Sequence, residues 1–77
     1  MARTIKLNFT EEAAPPQFRQ ALGYLTSWAL DAYDEVNIFP DGSNDLIAVY
    51  TDTRRPNIRY VIGAVMDPQT GKYSFHS

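Results

Sequence analysis

Hydrophobic and polar residues alternate at the start of the chain. Ile5, Leu7 and Phe9 interleave with Thr4, Lys6, Asn8 and Thr10. Period two with one apolar side predicts a strand that covers a core on one face only. Glu11 to Pro15 form a connector, and Pro15 and Pro16 mark a helix start, where a residue without an N–H leaves no intrahelical bond unmade. From there Phe18, Leu22, Leu25, Ala29 and Tyr33 recur at spacings of four, three, four and four, widened by Ala21, Trp28 and Ala32. Arg19, Gln20, Thr26, Ser27 and Asp31 fall on the other side. This spacing predicts an amphipathic helix from Pro16 to Tyr33.

The period then returns to two. Val36 and Ile38 open a short strand, and Pro40-Asp41-Gly42-Ser43-Asn44 has the composition of a turn. Asp45 to Asp52 is a second β-rich run, broken by Thr53-Arg54-Arg55-Pro56. Asn57 to Met66 is the longest strand, Asp67 to Gly71 a hairpin loop, and Lys72 to His76 the last strand. The pattern predicts a single α+β domain over residues 1–77, of order β-α-β-β-β-β, with one helix on a four- to five-stranded, mainly antiparallel sheet.

Turn chemistry sets an expected register, because a slip of one residue moves every side chain to the opposite face. Pro68 and Gly71 suit a four-residue loop that pairs Asp67 with Lys72. A four-residue loop at Thr53 to Pro56 pairs Asp52 with Asn57. Together these predict a core face of Ile47, Val49, Ile58, Tyr60, Ile62, Ala64, Met66, Tyr73 and Phe75. The opposite face then carries Leu46, Ala48, Tyr50, Arg59, Val61, Gly63, Val65, Ser74 and His76. That face is more apolar than a solvated sheet surface needs to be. Leu46, Tyr50, Arg59, Val61 and Val65 are therefore the candidate partner-binding residues.

Composition narrows the chemistry. The chain has 77 residues, no Cys, one His, and 7 Lys+Arg against 9 Asp+Glu. No thiol nucleophile, disulfide or thiolate metal site can form, and one imidazole leaves a His-based metal cluster or a catalytic triad incomplete. Neither a catalytic residue, a metal ligand nor a cofactor is expected. Asp41-Gly42-Ser43-Asn44-Asp45 is rich in oxygen donors like a calcium loop, but Leu46 stands where such a loop needs Gly. A formal charge of −2 gives no general pull towards nucleic acid. No apolar run is long enough to span a membrane, and MARTIKLNFT lacks a signal-peptide core, so a cytoplasmic setting is expected.

Charged residues offer two further candidate surfaces. Asp31, Asp34, Glu35, Asp41 and Asp45 come from one half of the chain and are expected to gather as an acidic rim near the helix C-terminus, a phosphate-like surface for a basic partner. Arg54 and Arg55, with Arg59, form a basic loop suited to phosphate or carboxylate.

The segment up to Leu25, with Arg3, Ile5, Leu7, Thr10, Ala21 and Leu22, resembles the opening of a ribbon-helix-helix repressor. That family continues with a second helix, where this chain is β-rich from Val36 onward. In size, acidic charge and architecture the whole chain resembles the small α+β proteins by which phages block host machinery, anti-CRISPR proteins among them. The resemblance implies a non-enzymatic inhibitor that binds a host defence protein stoichiometrically. The alternative expectation is a nucleic-acid-binding or homodimerising regulatory module that uses Arg54, Arg55, Arg59 and the outer sheet face.

Overall fold

The period-two runs become strands, and part of the four-three run becomes a helix. The computed structural model describes residues 4–10, 12, 14–27 and 33–77. They form β1 (Thr4–Leu7), α1 (Phe18–Ser27), β2 (Glu35–Asp41), β3 (Asp45–Asp52), β4 (Arg55–Met66) and β5 (Tyr73–His76). One helix packs on a five-stranded mixed sheet of order β1-β2-β3-β4-β5, an α+β arrangement.

The first turn of the helix is tight. The N–H groups of Phe18, Arg19 and Gln20 donate to the carbonyls of Pro15, Pro16 and Gln17, each three residues back, so the proline pair supplies acceptors without adding orphan donors. The expected start at Pro16 moves two residues on. Trp28, Ala29 and Ala32 of the expected stripe lie outside the described residues, and Tyr33 is not helical. Phe18, Ala21 and Leu25 are the buried residues of α1.

β1, whose place in the sheet the sequence leaves open, is an edge strand parallel to β2, with Ile5 beside Val36 and Leu7 beside Ile38. A parallel pair needs a crossover connection, and the segment containing α1 supplies it. The other neighbours are antiparallel. The last hairpin has its expected form. Met66 pairs with Tyr73, the Asp67 N–H donates to the Lys72 carbonyl at 2.8 Å, and Gly71 takes φ +73°. Only glycine enters that region without a Cβ penalty.

The β3–β4 hairpin departs from expectation. Asp52 pairs with Arg55 and not with Asn57, which closes a two-residue turn at Thr53-Arg54. Thr51 then pairs with Arg59, so Pro56, Asn57 and Ile58 form an irregularity in β4. Pro56 has no N–H to offer a ladder and fits there. The result is a one-residue slip in β3 relative to the expected register. Leu46, Ala48 and Tyr50 turn inward, and Ile47 and Val49 turn outward. Ile58, expected in the core, is half exposed at 52%.

The core beneath the helix therefore consists of Phe18, Ala21, Leu25, Val36, Ile38, Leu46, Ala48, Tyr50, Ile62 and Ala64. Leu7, Phe9, Leu22, Tyr33, Tyr60, Tyr73 and Phe75 pack around it. Tyr24 of the helix stacks on Phe75 of β5 with ring centroids 3.9 Å apart. Among the described residues no helix is long and apolar enough to cross a membrane.

Candidate functional site

Both faces of the sheet follow from the observed register. The inner face meets α1. The outer face, which no described element covers, is built of rows across β2, β3 and β4: Glu35-Thr51-Arg59, Asn37-Val49-Val61 and Phe39-Ile47-Gly63. Val65 and Ser74 form a pair further along, and His76 stands beside Gly63. Phe39, Val61 and Val65 are 40%, 47% and 43% exposed, with half-buried Ile47 and Val49 between them. A contiguous apolar centre thus lies open, with polar groups at its margins.

Of the residues expected on this face, Arg59, Val61 and Val65 are there and exposed. Leu46 and Tyr50 are not. They are 1% and 2% exposed and belong to the core, because the three-residue irregularity at Pro56 to Ile58, between the Asp52–Arg55 and Thr51–Arg59 pairs, reverses the parity of β3. Phe39, Ile47 and Val49 take their place. The alternation of β3 is visible in the sequence, but which of its two sets faces outward depends on the irregularity opposite Thr51 and Asp52.

The acidic rim does not form as one surface. Asp34 and Glu35 lie at one end of β2, while Asp41 and Asp45 pair across the hairpin at the other end, about 20 Å away at the rise of a strand. Asp31 lies outside the described residues. Each remaining member except Asp41 has a structural task. Asp34 accepts the Thr53 N–H at 3.0 Å and the Thr53 hydroxyl. These bonds, the hydroxyl's first, hold its carboxyl below the usual range. Glu35 pairs with the Lys6 ammonium at 2.9 Å and accepts the Thr51 hydroxyl, and Lys6 is the main cause of its lowered pKa. Asp45 accepts the Met66 N–H at 3.0 Å.

The basic loop is likewise committed. Asp52, buried at 2% exposure, accepts from the Arg54 Nε and Nη2, each at 3.1 Å, from the Arg54 backbone N–H at 3.0 Å, and from Arg55 Nη2 at 3.4 Å. The Arg54 side chain, followed by its backbone N–H, draws the Asp52 carboxyl down to about 2. Arg54 and Arg55 are thus the solvent-facing counter-ions of a buried carboxylate. Arg59 stands exposed on the outer face, and among the described residues no carboxylate pairs with it.

Chemistry of the catalytic kind is sparse on this surface. The Ser74 hydroxyl and His76 Nε2 are 3.0 Å apart and exposed on β5, and among the described residues no carboxylate bonds the imidazole to orient it as a base would require. Among the described residues no three His, Cys, Asp or Glu side chains converge as metal ligands would. On the helix side, an open groove of about 390 Å³ runs between Phe9, Ala14, Pro15, Pro16, Phe18, Arg19 and Leu22. It comes from the packing of the connector against α1, which periodicity does not encode.

No protein-family model, curated protein or solved structure matches the chain.

Proposed function

We propose that this chain is a non-enzymatic binding protein that occludes a site on a protein partner with the outer face of its sheet. Its mode of action is that of a small phage-encoded inhibitor of a host defence protein, in the cytoplasm. The observation that carries the reading is the open apolar centre formed by Phe39, Ile47, Val49, Val61 and Val65. Antiparallel faces left to water are normally polar along every other residue, and apolar groups in one exposed patch point to a covered state. A nucleic-acid reading draws less support, since two of its three arginines are held by Asp52.

A photo-crosslinking side chain at position 61, compared with one at the exposed helix position 20, tests the reading in cells that carry the protein. One discrete protein adduct is expected from position 61, lost when Val65 is also changed to Asp, and none from position 20. Equal adducts at both positions, or adducts unaffected by Val65→Asp, would remove the sheet face from the account.

A further inference from the structure

The outer face is self-complementary, and we propose that in the free protein its occupant is a second copy of this chain, packed face to face about a two-fold axis that runs along β3. The inference rests on the reading of this face as an interaction surface, and it names what covers the face when no foreign target is bound.

The argument starts with Gly63. It lies inside β4 on the outer face, its φ is not in the left-handed region, and an added Cβ would meet only the His76 carbonyl, at 3.9 Å. Neither the backbone nor a neighbour therefore requires glycine there. A glycine inside a strand gives up side-chain packing and commonly marks a place where something approaches closely. Its row, Phe39-Ile47-Gly63, has a large exposed ring on one side of Ile47 and an open dimple on the other.

A two-fold axis parallel to β3, between the two sheets, sets β2 of one copy over β4 of the other at the same height. Phe39 of each copy then stands over the Gly63 dimple of its partner, and Ile47 and Val49 meet their own counterparts near the axis. The row Glu35-Thr51-Arg59 obeys the same operation. It brings the Glu35 carboxylate of each copy towards the Arg59 guanidinium of the other. Glu35 has acceptor capacity beyond its bonds to Lys6 and Thr51, since a carboxylate offers about four lone-pair sites. Aligned sheets pack at about −30° and about 10 Å apart, an offset that long Glu and Arg side chains can span.

Charge in the Glu35-Thr51-Arg59 row and shape in the Phe39-Ile47-Gly63 row thus match under one operation, as an isologous interface demands, while in the row between them Val61 of each copy meets Asn37 of the other. Five strands about 4.8 Å apart and a face about 25 Å long offer roughly 600 Å² per copy, so the pair buries about 1,200 Å², at the lower end for specific interfaces. An association in the micromolar range is expected.

Sedimentation equilibrium of the full chain from about 1 to about 500 µM tests this. A monomer–dimer equilibrium is expected. Gly63→Leu, which fills the dimple, should weaken it by about tenfold or more, while circular dichroism shows the monomer still folded. Glu35→Arg and Arg59→Glu should each weaken it, and the double exchange should restore it to within about threefold, because the charges meet again with reversed sign. A monomer at every concentration overturns the proposal. So does a dimer indifferent to Gly63→Leu and to the charge exchange. A position-61 cross-link to a different protein, found together with a purely monomeric chain, would overturn the dimer and leave the reading of the face standing.

Discussion

The Tyr50 hydroxyl donates to the Leu25 carbonyl at 2.6 Å, tying the centre of the sheet to the helix across the core. Its ring also packs near Tyr33 and Tyr60, with centroids 5.9 and 6.5 Å away. Tyr50→Phe keeps the ring and removes this donor. It should lower stability by about 1–2 kcal/mol, the cost of a lost buried hydrogen bond, read as a fall in melting temperature of roughly 4–15 °C in a domain of this size.

The burial of the same residue sets an alkaline limit. Burial raises the Tyr50 phenol above its ordinary 10.0. A group whose pKa is raised on folding contributes stability in full below its unfolded value and loses it as pH rises beyond that value. The urea midpoint of the wild type should therefore fall above about pH 10, and Tyr50→Phe should flatten that decline. An identical slope in both proteins would contradict this role for Tyr50.

At the acid end the controlling group is Asp52. Its carboxyl is lowered from 3.8 to about 2, first by the Arg54 side chain. A depressed carboxylate stabilises the fold fully above its unfolded value and ceases to do so as pH falls through its folded one. Stability should decline between about pH 4 and pH 2. Asp52→Asn should be less stable at neutral pH and should lose part of that acid dependence. Urea titrations at pH 7, 4 and 2.5 compare the two.

The parity of β3 gives a direct test of register. Leu46→Ala should cost about 2–5 kcal/mol, as for a buried leucine. Ile47→Ala, measured at low micromolar concentration, should cost under about 1 kcal/mol because its side chain sits on the outer face. The reverse ranking would restore the register expected from a four-residue β3–β4 loop.

Two glycines should respond in opposite directions. Gly71→Ala forces a Cβ into a conformation at φ +73° and should destabilise by about 1–2 kcal/mol. Gly63→Ala meets no backbone or steric obstacle, so it should leave monomer stability unchanged or raise it by up to about 1 kcal/mol. Thermal melts of dilute protein separate the two.

Much of the architecture is legible in the chain because it is local. Alternation at Asp45–Asp52 and Lys72–His76, the proline pair before α1, and Pro68 with Gly71 at the last hairpin each act within a few residues. The position of three of the five residues expected on the outer face was legible for the same reason. Arg59, Val61 and Val65 are on β4, whose face is fixed by the local turn at Asp67 to Gly71. Leu46 and Tyr50 take the other face because parity changes at the irregularity of Pro56 to Ile58, just past the turn at Thr53-Arg54.

Order of elements, fold class and the presence of two unlike faces on β3 were thus determined by the sequence alone, through periodicity and turn chemistry. Which face of β3 is buried was decided by tertiary structure. Asp34, from the start of β2, grips Thr53, and the buried Asp52 gathers Arg54 and Arg55. A two-residue turn results, with the extra residues of β4 displaced into an irregularity at Pro56 to Ile58. Nineteen residues separate Asp34 from Thr53, and no window of local pattern spans that distance. Because side chains alternate with period two, the odd number of residues in that irregularity decides whether Tyr50 or Val49 meets the outside.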